Sequence, residues 1–369
     1  MANTCHELLE HCLSGRPWPP DLLDRALAED DGRALLAVVV ERLADLFEPR
    51  LCDTYAELFR QVVARVAPEL LPRTRRAVSR GLPESAERVY VLSRITLGAD
   101  VAVTSVLLDA AKRRYPAADI YFVGPRKNYE LFEADSRVRH CPAPYARSGS
   151  LRDRLAASGQ LWIEDGIVLD PDSRLTQLGM LQVCPEDRYF FFESRSYGGD
   201  SDARLPDLAA RWMGDAAAKP YVAPLPSHEP SAAITVSLGV GENPAKRLGD
   251  EFERELLQML AATGGSVLVD LGGSDEERAR VESALQPEMR THSGAFAAFA
   301  AQIARSRLFV GYDSAAGHVA SACGIPLISI AAGFVSARML TRWRPLGTVI
   351  RGDSPDALAE IERALASSR

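Results

Sequence analysis

The chain has 369 residues, of which 47% are hydrophobic and 25% charged, and a formal net charge of −7. That length predicts two domains with room for a small third, and that balance excludes a mainly disordered chain. With no basic surplus, a general nucleic-acid coat is excluded as well. Two arginine clusters, Arg73–Arg75–Arg76 and Arg338–Arg342–Arg344, read as solvated helix faces, with binding of an anionic surface or substrate as the alternative. Six cysteines show no CxxC pair and no zinc-like spacing, which predicts reduced thiols in a cytoplasmic compartment. The start, MANTCHELLEHCLSG, lacks the basic and apolar parts of a signal peptide, and no stretch approaches the ~20 apolar residues of a spanning helix. Membrane contact is expected to be at most peripheral, at the inner membrane face.

Residues 1 to about 80 read as helical. Apolar positions recur at threes and fours through Leu22–Leu27, Leu35–Phe47 and Tyr55–Val66. GRPWPP, Gly15 to Pro20, breaks a first short helix from the next. The texture changes at Arg88. RVYVLSRI, Arg88–Ile95, is a strand. Val101–Arg114 is an amphipathic helix, Asp119–Gly124 a strand and Asn128–Glu133 a helix. Leu161–Leu169 and Tyr189–Glu193 are further strands, and Leu205–Met213 a helix. YVAPLPSHEP reads as a linker, after which the alternation restarts. Strands are expected at Ala232–Leu238, Ser266–Leu271, Leu308–Val310 and Pro326–Ile330. Helices are expected at Asp250–Ala262, Asp275–Leu285, Ala295–Ser306, Ser314–Cys323 and Pro355–Ala366. Such alternation implies two parallel sheets with right-handed crossovers. The expected fold class is therefore α/β, two Rossmann-like domains facing a cleft, preceded by an all-helical extension. The expected boundaries are 1–82, 83–224 and 225–369. Ligands of open parallel sheets sit at the carboxyl ends of strands, so the cleft is the natural site.

Four segments could carry chemistry there. Thr96-Leu97-Gly98-Ala99-Asp100 lies between a strand and a helix. Asp100 is either an N-cap or a general base facing the cleft. Gly311-Tyr312-Asp313-Ser314-Ala315-Ala316-Gly317-His318 opens a helix whose free N–H groups and dipole favour a phosphate. Asp313 is a candidate N-cap, a loop-orienting residue or a hydroxyl ligand. His318 is either packed or close enough to reach the phosphate. The loop Gly239–Arg247 places Lys246 and Arg247 where a diphosphate could leave, although it matches neither a P-loop nor GxGxxG. Asp275 begins a helix after the second strand of its half, where an acid often meets a ribose; simple enrichment of acids at helix starts is the alternative. Asp170-Pro171-Asp172 and Asp200-Ser201-Asp202 look like metal-binding DxD tripeptides, but turn chemistry accounts for both.

Together, the runs RVYVLSRITLGADVAVTSVLLDAAKRRYPAADIYFVG and RLFVGYDSAAGHVASACGIPLISIAAG resemble glycosyltransferase family 9, the heptosyltransferase-like enzymes. The second run is similar to the family's Asp-(Thr/Ser)-Gly-x-x-His-x-Ala-Ala segment, followed by Gly-x-Pro and a strand. The resemblance spans roughly residues 88–350 and implies a GT-B fold with an amino-terminal acceptor domain and a carboxyl-terminal donor domain. It implies Asp100 as catalytic base and Lys246 at the donor phosphates. It places Asp275 near the ribose, and Asp313, Ser314, Ala315, Ala316, Gly317 and His318, with Gly239, in the donor site. Ala99 departs from the family's Gly before the Asp, Ala315 from a common Gly in the donor loop, and residues 1–80 have no counterpart in the simplest members.

The expected function is an inverting, metal-independent glycosyltransferase. It would move a sugar, heptose by resemblance, from a nucleotide-diphosphate donor to a hydroxyl on a glycan, lipid-linked glycan, small molecule or protein. No cofactor, metal or nucleic acid is expected, and the helical extension is a candidate surface for homo-oligomers. The alternatives are a nucleotide-sugar epimerase-like enzyme and a non-catalytic GT-B protein that binds a sugar or a partner.

Overall fold

The computed structural model describes residues 3–77, 80–145, 147–241 and 243–367. Met1, Ala2, Val78 and Ser79 of the expected helical segment, and Glu242 of the Gly-rich loop, lie outside the described residues. Two sheets are formed, both wholly parallel. The first contains β1 (Arg88–Leu92), β2 (Asp119–Gly124), β3 (Val138–Pro142), β4 (Ile167–Asp170) and β5 (Tyr189–Phe191) in the order β3-β2-β1-β4-β5. The second contains β6 (Ile234–Ser237), β7 (Val267–Asp270), β8 (Arg290–His292), β9 (Leu308–Tyr312), β10 (Leu327–Ala331) and β11 (Thr348–Arg351) in the order β11-β10-β9-β6-β7-β8. Strand order reverses direction beside β1 and beside β6, which opens a crevice at the carboxyl end of each sheet.

Three strands were not expected from the sequence: β3, β8 and β11. Each is an edge strand. The stretch read as strand over Leu161–Leu169 is extended in the sheet only from Ile167, and the helix expected over Asn128–Glu133 is a short turn of helix at Arg126–Tyr129. A helix not expected, Leu151–Gln160, begins with a reciprocal cap: Ser150 Oγ accepts from Asp153 N, and the Asp153 carboxylate accepts from Ser150 N.

The amino-terminal segment is helical as its periodicity predicts. Its longest helix, Pro49–Val66, starts with proline at the first position and buries Leu51, Tyr55, Leu58, Phe59, Val62 and Val63 along one face. That face meets Leu151, Leu155, Leu178, Met180 and Leu181 of the first sheet domain in one apolar cluster. Polar contacts reinforce it. Tyr55 Oη donates to Gln177 O at 2.9 Å, and Arg174 Nη2 pairs with Glu41 Oε2 at 2.5 Å. Most members of the two arginine clusters are not free solvated cations. Arg73 donates to the carbonyls of Gly159, Leu161 and Gln182. Arg75 and Arg76 pair with Glu186 and Asp53. Arg342 is buried and donates to the carbonyls of Gly199 and Ala203. They act as staples between segments.

The two sheet domains share a core. Val101, Ala102 and Val106 lie in the same apolar cluster as Phe299, Ala316, Val319 and Ala320, so helices of both halves close on each other behind the cleft. Phe47 of the helical extension belongs to this cluster as well.

Candidate active site

The site forms where the loop after β1 meets the loop after β9. Thr96 is the residue before the first helical turn, and Asp100 donates its backbone N–H to Thr96 O at 2.9 Å. Asp100 is therefore one full turn inside, not at the cap, and it has no exposed surface. Its carboxylate accepts four hydrogen bonds. Oδ1 takes Arg94 N at 2.6 Å and Thr104 Oγ1 at 2.7 Å; Oδ2 takes Ser93 Oγ and Asn128 Nδ2, both at 2.7 Å. Burial pushes its pKa up, and the four donors oppose that shift. The sequence placed Asp100 at the helix start; it lies one turn further in, buried, where its carboxylate ties the β1 loop to Thr104 and Asn128.

That loop touches the second half directly. A Cβ on Gly98 would stand 3.2 Å from Ala315 Cα and 3.2 Å from His318 Cδ2. A side chain there would have to push the Ala315–Ala322 helix start or the His318 ring aside by a few tenths of an ångström, which glycine avoids. Arg94 crosses the same gap. Its guanidinium carbon lies 5.7 Å from the Trp343 ring centroid, and its Nη1 donates to Ser194 Oγ at 2.9 Å and to Pro171 O. His318 sits edge-on to Trp343, with ring centroids 6.0 Å apart. Burial lowers the His318 pKa, so the imidazole is neutral at pH 7. Arg94 and Trp343 went unremarked in the sequence; the position of Arg94 just after β1 was the available signal.

The Lys246 side chain reaches across to Asp313. Nζ lies 2.6 Å from Asp313 Oδ2 and 3.1 Å from Asp313 O, above the Phe334 ring. Asp313 is thus a counter-ion to Lys246, and the N-cap of the helix is Ser314. Ser314 Oγ is buried with no hydrogen-bond partner among the described residues. The amides of Ala315, Ala316 and Gly317 open the helix, where N–H groups have no intrahelical acceptor. An ammonium, an orphan hydroxyl and a helix start converge at the carboxyl end of β9, which is the equipment of an anion site.

Lys246 is held there by a glycine. Gly333 has φ +68°, and a Cβ on it would lie 2.7–2.9 Å from the backbone of Ala245 and Lys246. Gly333→Ala is expected to displace the Lys246 loop and to weaken anion binding about tenfold, with a stability loss of ~1–2 kcal/mol. Titration calorimetry with ADP and thermal melting check the two parts separately.

Other expected residues stand apart. Arg247 is turned to Glu253, at 3.0 Å, and to Asp250; Glu253 is buried and also holds Arg280 and Tyr312 Oη. Arg247 is therefore a structural cation and leaves Lys246 alone at the phosphate position. Gly239 packs near Glu277, whose carboxylate returns to Gly273 N at 3.0 Å. Asp275 is exposed at the helix start, and no hydrogen bond or ion pair ties it to the Lys246–Asp313 pair. The first DxD tripeptide is internally satisfied: Asp170 accepts from Ser173 N, Thr176 and Tyr189, and Asp172 pairs with buried Arg195. Among the described residues no helix is long and apolar enough to cross a membrane.

Residues 187–349 match the sequence model of glycosyltransferase family 9 (heptosyltransferase). A search of curated proteins finds no match. Among solved structures, the E. coli heptosyltransferase WaaC with ADP is similar with a TM-score of 0.56 and 14% identity, over 76% of this chain and 100% of that one. The E. coli ADP-heptose lps heptosyltransferase II gives 0.55 and 17%, over 76% and 98%. A family 9 glycosyltransferase from Veillonella parvula DSM 2008 gives 0.54 and 14%, over 78% and 92%. These likenesses show the fold, which is GT-B. The resemblance to the family read from the sequence is matched by the family model over residues 187–349.

Proposed function

We propose that this chain, a glycosyltransferase family 9 protein over its carboxyl half, transfers a sugar from a nucleoside-diphosphate donor to an acceptor hydroxyl by one inverting displacement. The single observation that carries the reading is the set made by Lys246, Asp313 and the partnerless Ser314 hydroxyl at the Ala315–Ala322 helix start. A diphosphate placed there meets an ammonium and a row of free amides. The same groups receive the charge that develops as the bond from the anomeric carbon to the phosphate oxygen breaks. Because these groups offset that charge, the mechanism runs without a metal ion. Neutral His318 flanks the site as a hydrogen-bonding group, and exposed Asp275 is available to a ribose hydroxyl. ADP-heptose is the favoured donor, because the solved structures similar in fold name ADP and ADP-2-deoxy-2-fluoro heptose as their ligands.

The test is a thermal-shift panel of ADP-heptose, ADP-glucose, UDP-glucose and GDP-mannose. A ligand at ~100 Kd adds about 2.7 kcal/mol of apparent stability. A shift confined to the ADP sugars, largest for ADP-heptose, is expected. No shift with any nucleotide sugar refutes the donor reading.

A further inference from the structure

The helical extension does not stop at the back of the first domain. Its residues 46–50 meet both sheet domains, and an open groove of about 540 Å³ lies where the three bodies join. The groove is lined by Leu46, Glu48 and Arg50 of the extension, Asp200 of the first half, and Ser336 and Arg338 of the second. Arg338 bridges all three: Nη1 donates to Phe47 O at 3.0 Å, and Nη2 pairs with Asp200 Oδ1 at 2.6 Å. Phe47 is buried in the core shared by the two halves and is held at φ +54°. Left-handed strain at a non-glycine residue persists where the surroundings fix the chain, so the extension wall of the groove is preformed.

Two stretches of chain lead from this groove to the anion site. Ser336 stands two residues after Phe334, whose ring lies 5.6 Å from Lys246 Nζ. At most about 7 Å of chain covers that step. Arg338 stands five residues before Trp343 on the helix Ala337–Trp343, about 7.5 Å along its axis. Trp343 belongs to the site itself: His318 lies edge-on to it at 6.0 Å, and the Arg94 guanidinium lies 5.7 Å from its ring centroid. Groove and anion site are neighbouring compartments.

The lining has the chemistry of a receptor for hydroxyl groups. Arg50 and Arg338 are balanced by Glu48 and Asp200, so the groove presents no net charge to draw in a polyanion. Arg50 is fixed by Leu13 O at 2.9 Å and by Glu48 at 2.8 Å, and groups already held in place lose little freedom when a ligand binds. Hydrogen-bonding capacity is left over. Asp200 Oδ2, Glu48 Oε1 and Arg338 Nε have no partner among the described residues, and the Ser336 hydroxyl, which accepts from Met339 N, keeps its own proton to donate. Leu46 adds an apolar contact. No aromatic residue lines the groove among the described residues, so the usual anchor of a protein interface is missing.

We propose that this groove is a saccharide-binding site, which holds the non-reacting part of an oligosaccharide acceptor while its reacting hydroxyl extends into the cleft. Grip on a remote part of a substrate is what orients the reacting group. The extension then has a task as the third wall of the acceptor site. Asp200, from the second acidic tripeptide, and Arg338, from the second arginine cluster, belong to that site. As an acceptor site the groove rests on the donor reading given under Proposed function.

The experiment uses the full chain and two variants, one on each wall: Asp200→Trp, at a side chain 89% exposed, and Glu48→Ala. A printed array of oligosaccharides finds the ligand, and calorimetry measures its affinity. The wild type should bind at least one oligosaccharide. Asp200→Trp should weaken that binding about tenfold or more by its bulk, and Glu48→Ala about 3–10-fold, while both bind ADP as the wild type does. The same oligosaccharide should accelerate release of nucleoside diphosphate from the sugar donor with the largest wild-type thermal shift. An array without a hit overturns the site, as does an affinity that both variants leave unchanged. Anionic phospholipid vesicles that retain the wild type but not Asp200→Trp overturn the saccharide as occupant. Binding without acceleration overturns the acceptor role. Failure of every nucleotide to bind the wild type overturns the donor reading instead, and the array, which contains no nucleotide, tells the two failures apart.

Discussion

Replacing Asp100 by Ala is expected to cost the fold ~3–5 kcal/mol, the range for removing one partner from a buried charged network. Four donors lose their acceptor at once: Arg94 N, Ser93 Oγ, Thr104 Oγ1 and Asn128 Nδ2. Three of the four are out of reach of bulk water, because Ser93, Thr104 and Asn128 are fully buried. Asp100→Asn should be far milder, at ~1–2 kcal/mol, since the new amide can still accept on one side. Its amide hydrogens can meet Asn128 Oδ1, which is buried without a partner here and is brought round by turning that side chain over. Urea denaturation of the two variants checks this, with the midpoint falling steeply for Ala and little for Asn. Equal, small losses for both would mean that the network is dispensable. Because Arg94 and Gly98 hang on the same loop, Asp100→Ala should also weaken donor binding indirectly, whereas Asp100→Asn should retain it.

Asp100 also shows where sequence stops being informative. The strand–turn–helix pattern placed the right loop at the cleft, because β1 and the helix behind it have clear apolar periods. The direction of the carboxylate depends on where the helix begins. The helix starts at Thr96 and winds through a wider π turn over Asp100–Thr104, and that register carries the side chain inward. No spacing rule contains this. The strands divide along the same physical line. Central β6 and β9 are buried along their whole length and β1 over Val89, Val91 and Leu92, and all three carry β-branched or large apolar residues that mark them as strands. The unexpected β3, β8 and β11 are sheet edges carrying Arg139, His140, Arg290, Thr348 and Arg351, the polar content that keeps edges from pairing further. Apolar Tyr189–Phe191 is an edge strand too, and it was legible for that reason.

Replacing Lys246 by Ala is expected to weaken nucleoside-diphosphate binding by about 10–100-fold, the value of one or two charge-assisted hydrogen bonds. Two effects combine in that loss. The phosphate loses the Lys246 ammonium, and Arg247, committed to Glu253 and Asp250, cannot substitute for it. The Asp313 carboxylate, freed of its counter-ion and buried, also becomes a negative charge beside the anion site. Asp313→Asn separates the two. It removes that repulsion and releases Lys246 to the ligand, so ADP affinity should be held or improved in the single variant, and partly recovered in the double variant relative to Lys246→Ala alone. The pair is therefore expected to be strongly non-additive, as residues in direct contact are. Calorimetric titration of ADP into the four proteins closes the cycle. Additive losses from the two substitutions would place the diphosphate elsewhere in the cleft, since a ligand that does not compete with Asp313 for the ammonium gives no reason for coupling between them.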